Sequence, residues 1–358
     1  MTPTRANGRA MAQVAVDAGG ADLGPKEVAA GAAMAADRGV GVLLFGPAGE
    51  IGPVPAGVEV VDAPVSIAKT QDPAFAVRST PEASIVQATR AVAEGRAQAL
   101  VSGGSTGSAL AAGLFNIRRD RGIYRPALAL PLPIPSARPV LLLDVGANVA
   151  CRPEHLVQFA HMGSAFCQAV LGFDKPRVAL LSNGEEPGKG TPDLIAVHDQ
   201  LMGPNGEGLN FIGNIEGTHI TSGIADVVVM DGFTGNITLK VIEGVSARTM
   251  RAIAELAEGS IQARLGSHLL GPAMAGLRAE IDPETPGGAY MLGLRQLGVV
   301  AHGRFTRRGF AQAIEVAARG VREDVIARTR AALEKAGALR KPPPAAQAHL
   351  PSEHAATF

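Results

Sequence analysis

Residues 97–118, AQALVSGGSTGSALAAGLFNIR, carry the pattern that decides the fold. Ala97 to Val101 is a short apolar run, Ser102 to Gly107 is a polar Gly-rich turn, and helical spacing then continues to Arg118. A strand feeding a turn and then a helix is the repeating unit of a parallel sheet. The unit recurs along the chain. Strands are expected at 14–17, 40–45, 97–101, 127–131, 140–144, 177–182, 225–231 and 299–302, apolar almost throughout, as strands covered on both faces are. Helices are expected at 27–37, 81–94, 107–118, 154–172, 192–202 and 310–335. This alternation predicts an α/β fold, a three-layer α/β/α sandwich around a mostly parallel sheet.

Two segments depart from the rhythm. Residues 246–279 offer no strand. Met250, Ile253, Leu256, Ile261, Leu265 and Leu269 follow helical spacing, with Arg248, Arg251, Glu255 and Glu258 on the other face. One long amphipathic helix and a second short one, with a break at Gly271-Pro272, are expected to leave the sheet as a hairpin. Residues 337–358 are Pro- and Ala-rich without periodicity and read as a disordered tail, and residues 1–10 as a flexible N-terminus. The expected organisation is therefore one catalytic domain over 11–336.

Composition narrows the function. Lys plus Arg and Asp plus Glu number 33 each, so no net field draws the 358-residue chain to nucleic acid. With no Trp and 4% aromatic residues, base-stacking platforms are scarce too. The two cysteines, Cys151 and Cys167, form no CxxC pair and fit a reducing, cytoplasmic compartment. No apolar run reaches the ~18 residues of a membrane span.

The chemistry is expected in the loops that follow the strands, where parallel sheets bind ligands. Asp17 leads into AGGADLGP (18–25), and Asp144 into VGANVAC (145–151), with Asn148 inside it. SNGEEPGKG occupies 182–190 and DGFTGN 231–236. In SGGSTGS (102–108), Gly103, Gly104 and Gly107 would let backbone approach an oxyanion, while Ser102, Ser105 and Thr106 add hydroxyls. The same residues also make a plain turn capping a helix. Neither a Walker loop nor a GxGxxG fingerprint is present. Lys189, with Glu185 and Gly188 in its loop, can neutralise a phosphate or a developing oxyanion, although a solvated charged loop reads the same way. Asp231 can act as a general base and Asn236 as a donor, with Thr234 between them, or they can cap and turn. His302 is either a substrate contact or an edge histidine. His155 and His161 lie six apart, do not share a helical face, and lack an HExxH pattern, which argues against zinc.

These loops, in this order, resemble the phosphate acyltransferase family of bacterial phospholipid synthesis, which makes acyl phosphate from acyl-acyl-carrier protein. The stretches that carry the resemblance are 14–28, 99–108, 125–133, 142–166, 178–190, 209–220, 225–244, 286–294 and 299–303, across nearly the whole chain. The resemblance implies a fold of the isopropylmalate-dehydrogenase and phosphotransacetylase type, with no metal or organic cofactor. It implies a homodimer in peripheral contact with the inner face of the membrane through 246–279, with a glycerol-3-phosphate acyltransferase acting downstream. The family's GEExGKG lysine and DGFTGN asparagine lie in its active site, which points to Lys189 and Asn236, with Asp231 as the third catalytic candidate. Asp17, Ser102, Gly104, Ser105, Thr106, Gly107, Asn148, Glu185, Gly188, Thr234 and His302 are the expected substrate and phosphate positions. Several loops depart from the family pattern. Gly19-Gly20-Ala21 stands where DAMGGD is usual, and Ser105 where SAGNTGA has Asn. Arg78-Ser79-Thr80-Pro81-Glu82 replaces a lysine-rich stretch, and His302-Gly303-Arg304-Phe305 replaces HGSS. A coenzyme A-dependent phosphotransacetylase and a degenerate membrane-associated scaffold are the alternatives.

Overall fold

A computed structural model describes residues 11–340; the expected N-terminus (1–10) and residues 341–358 of the expected tail lie outside the described residues. In chain order the strands are β1 (Gln13–Asp17), β2 (Gly41–Gly46), β3 (Val58–Asp62), β4 (Ala99–Ser102), β5 (Ala127–Leu132) and β6 (Val140–Leu143). They continue as β7 (Arg177–Leu181), β8 (Asn210–Ile215), β9 (Val227–Val229), β10 (Ala289–Leu292) and β11 (Leu297–Val300). All belong to one sheet, ordered β3-β2-β1-β4-β11-β10-β5-β6-β9-β7-β8.

The sheet is mostly parallel, but it has a seam. β3, β2, β1, β4 and β11 form one parallel group, and β6, β9, β7 and β8 form another. Between them β10 is antiparallel to both β11 and β5, and β5 is antiparallel to β6. Three reversals in a row leave the two parallel groups pointing in opposite directions. The five Gly-rich loops therefore do not form one row along one edge, as a uniformly parallel sheet would have placed them.

Both faces are covered, which makes the protein a three-layer α/β/α sandwich. Alternate β1 residues enter different cores: Val14 and Val16 pack under one layer and Ala15 under the other. The first layer includes the helices Pro25–Asp37, Pro153–Phe166, Pro192–Met202, Arg307–Arg322 and Val325–Lys335. The second includes Pro73–Ser79, Ser84–Ala93, Thr106–Ala112 and the start of Gly232–Glu258. Thr106–Ala112 and Pro153–Phe166 each run on through a π-helical turn, Gly113–Ile117 and Cys167–Leu171.

Four sequence readings are adjusted. β3, β8 and β10 were not foreseen. The single helix expected over 310–335 is two helices, split where Asp324 takes a positive φ of 50°. The break in the 246–279 excursion falls at Gly259-Ser260, where Ser260 caps the helix Ile261–Glu280; Pro272 lies inside that helix. Residues 337–340, assigned to the tail, pack on the body: Arg340 N–H donates to Gly122 O at 2.7 Å, and Gln158 Nε2 donates to Ala338 O at 2.7 Å.

Candidate active site

At the end of β1, Asp17 is buried and accepts three hydrogen bonds. They come from Ser84 Oγ at 2.6 Å, Ser102 Oγ at 2.8 Å and Gly19 N–H at 3.0 Å. Burial pushes its carboxyl up, and these donors offset only part of that rise. Ser102 in turn accepts from Gly104 N–H at 3.1 Å, so Asp17 and Ser102 brace the 102–108 loop from beneath. Gly20 is required here, since a Cβ on it would stand 2.5 Å from Gly104 Cα. Ser105 caps the helix Thr106–Ala112, its Oγ accepting from Ser108 N–H at 3.2 Å.

Across the seam, Asp144 at the end of β6 is fully buried and saturated. Its oxygens accept from the N–H groups of Leu128, Gly146, Ala147 and Asn148 and from Asn148 Nδ2, all within 3.1 Å. Burial again raises the carboxyl above its usual range despite these donors. Asn148 Nδ2 also donates to Pro126 O at 2.8 Å, and its carbonyl accepts from Gly232 N–H at 2.7 Å. The helix Gly232–Glu258 crosses this loop so closely that a Cβ on Gly235 would lie 1.9 Å from Asp144 O. Asp231 caps the helix, with Oδ1 accepting from Thr234 N–H at 2.8 Å and Oδ2 from Thr234 Oγ1 at 2.9 Å.

A cavity of about 790 Å³ lies over β5, where the two groups of strands meet. Gly104, Ser105 and Thr106 reach it from one group, and Asn236 from the other; His302, just past β11, also lines it. Much of the remaining wall is apolar, including Leu128, Leu130, Ile134, Leu239, Ile242 and Met250, with Glu243, Arg278 and Asp282 among its charged members. Lys240, which sequence reasoning missed, also lines it; it sits one turn beyond Asn236, on the same helical face, and pairs with Glu243 at 2.7 Å. That i, i+4 spacing was the available signal.

The other expected residues lie elsewhere. Asp231 and Thr234 border a neighbouring cleft of about 520 Å³, walled by Ser182, Asn183 and Gly190. Lys189 is exposed on the loop that forms that wall, its stem lying over Gly184. Glu185 is exposed on the same loop, with Oε1 3.1 Å from His219 Nδ1, and Gly188 is also exposed. Asp17, Ser102 and Asn148 stand behind the loops, and Gly107 turns toward Pro73. His161 Nε2 bonds Asn205 O at 2.7 Å, and His155 Nδ1 accepts from Arg152 N–H, so both are engaged by backbone.

The fatty acid synthesis protein family matches residues 12–328. A phosphate acyltransferase from Pelotomaculum thermopropionicum is 40% identical over 329 residues, covering 90% of this chain and 95% of that protein. The chain belongs to the phosphate acyltransferase family. Another phosphate acyltransferase, from Heliobacterium modesticaldum, is 42% identical over 324 residues, covering 88% of this chain and 96% of its own. As a member of the phosphate acyltransferase family the protein is an enzyme, a transferase. A phosphotransacetylase from Streptococcus pyogenes superposes with a TM-score of 0.57 at 18% identity, covering 87% of this chain and 94% of that one. At such identity the likeness is one of fold.

Proposed function

We propose that the chain moves the acyl group of an acyl-acyl-carrier protein onto inorganic phosphate, releasing acyl phosphate and free carrier protein. The observation that carries this reading is one cavity lined both by the donors of Ser105, Thr106, Asn236 and His302 and by the aliphatic Leu128, Leu130, Leu239 and Ile242. An oxyanion and an acyl chain call for those two environments side by side. A phosphate oxygen attacks the thioester carbonyl carbon, forming a C–O bond. The C–S bond breaks, its electrons leave with the thiolate, and the thiolate takes a proton from water.

The site's work is positioning and oxyanion stabilisation. Ser105, Thr106 and His302 hold the phosphate end, and Asn236 donates to the developing charge. Lys189 neutralises anion charge at the adjoining cleft. Asp231, with both oxygens engaged by Thr234, positions the helix that carries Asn236. The protein acts as a cytoplasmic homodimer touching the inner face of the membrane through 246–279, where a glycerol-3-phosphate acyltransferase consumes the acyl phosphate. The exposure of Leu256, Leu265, Leu269 and Leu270 supports that contact.

Purified protein is given phosphate with either long-chain acyl-carrier protein or acyl-coenzyme A, and acyl phosphate is trapped by hydroxylamine. Hydroxamate from the carrier-bound donor is expected; product from short acyl-coenzyme A alone would reject this donor. Lys189→Ala and Asn236→Ala should each lower turnover roughly 10²-fold with melting unchanged. A near-normal rate in either variant removes that residue's role.

A further inference from the structure

A second cleft, of about 680 Å³, opens on the opposite face of the sheet from the acyl cavity. Its base is Tyr290 on β10, a residue only 2% exposed, whose ring packs edge-on against Phe166 with centroids 4.5 Å apart. Tyr290 lines the cleft, yet its hydroxyl makes no hydrogen bond among the described residues. The hydroxyl is not sealed away from solvent, so its donor is open to an occupant of the cleft. Burial pushes the phenol well above its ordinary range, and the Arg319 charge pulls it back, so the hydroxyl remains a neutral donor within that arginine's field.

Two guanidiniums border the same cleft. Arg319 comes from the helix Arg307–Arg322, and Arg138 from the turn before β6, where it lies over the Phe173 ring at 5.2 Å. Neither makes an ion pair with an acidic side chain among the described residues. One carboxylate, Glu280, stands on the rim with Oε2 accepting from Ser136 N–H at 3.0 Å, which leaves the cleft with a net positive charge. Val170, Leu171, Val316 and Pro133 supply apolar wall, beside the polar Gln312 and Thr285.

We infer that this cleft binds an amphiphilic anion, an aliphatic chain ending in a carboxylate, with Tyr290, Arg138 and Arg319 on the head group and Val170, Leu171 and Val316 on the chain. The hydroxyl supplies a donor at the bottom, the guanidiniums supply charge at the mouth, and inorganic phosphate alone would leave the apolar walls unused. Pro133, Ile134 and Pro286 line both this cleft and the acyl cavity, so an occupant here touches the wall of the first site. The inference stands apart from the acyl-transfer reading.

Calorimetric titration of the full chain with decanoate tests it, beside 1-decanol and inorganic phosphate. Decanoate should bind, 1-decanol and phosphate should bind at least tenfold more weakly, and Arg319→Met or Arg138→Met should weaken decanoate roughly tenfold. Tyr290→Phe removes only an unpartnered hydroxyl, so it should melt no lower than the parent while losing several-fold in affinity. Equal binding of 1-decanol, decanoate affinity unchanged in all three variants, or no decanoate binding would each overturn the assignment. Hydroxamate formation in the parent protein reads the acyl-transfer reaction separately.

Discussion

Asp226, just before β9, accepts from Arg177 N–H at 2.8 Å, Nε at 3.0 Å and an Nη at 2.8 Å, tying the starts of β7 and β9 together. Burial alone would raise this carboxyl, but the Arg177 hydrogen bonds outweigh it and hold it below its usual 3.8. A carboxyl lowered on folding contributes stability above its unfolded value and loses it as pH falls through the folded one. Asp226→Asn should therefore cost about 2 kcal/mol at pH 7, since the arginine remains half exposed. In urea melts the difference from the parent should shrink below about pH 3.8. A pH-independent difference would assign the loss to packing. Cys151 is a second case. Burial, with Asp144 and Asp231 nearby, pushes its thiol up to about 12. Its alkylation by iodoacetamide at pH 8 should be roughly a thousandfold slower than that of a free thiol; a rate near the free thiol's would mean that the loop around Asp144 opens.

At the level of elements, the start of Gly232–Glu258 joins capping to the site. Asp231→Ala should destabilise the protein by about 1 kcal/mol through loss of the cap. Asp231→Asn keeps an acceptor for Thr234 N–H and should retain both melting temperature and most turnover. Loss of turnover with unchanged melting in the Asn variant would instead make Asp231 the base. The sequence left this open because caps and catalytic bases use the same residue types; the two bonds to Thr234 establish the cap, and the Asn variant tests the base. Ser105 is the same problem: a hydroxyl read as cradle or cap proves to cap while also facing the cavity. The buried strands were legible from continuous apolar runs. β3 and β8 lie at the sheet edges, where Glu59, Asn210 and Gly213 interrupt that signature. β10 spans only Ala289–Leu292 between glycines, too short to show a period.

For the whole molecule, the pattern of runs foretold a parallel sheet but not its seam, because periodicity carries no strand direction. The cavity depends on that seam. Residues as distant in sequence as Ser105 and Asn236 face one space where β10 and β5 reverse the strand direction between the two parallel groups. The Gly232–Glu258 and Ile261–Glu280 hairpin extends from this region with little of its surface covered. Beyond Gly235 neither helix buries a residue among those whose side chains are described, and Leu265, Leu269 and Leu270 are 64%, 73% and 59% exposed. Among the described residues no helix is long and apolar enough to cross a membrane, so a bilayer contact here would lie along the interface. Arg248, Arg251, Arg264 and Arg278 stand among Glu243, Glu255, Glu258 and Glu280, so apolar area rather than charge must supply the attraction. Changing Leu265, Leu269 and Leu270 together to Glu removes roughly 5 kcal/mol of apolar burial. Flotation with phosphatidylglycerol vesicles should then fall to background and depend little on salt in the parent protein, while hydroxamate formation in free solution stays within about twofold. If the triple variant still floats but elutes as a smaller species, the leucines face a second copy of the chain, and the membrane contact fails.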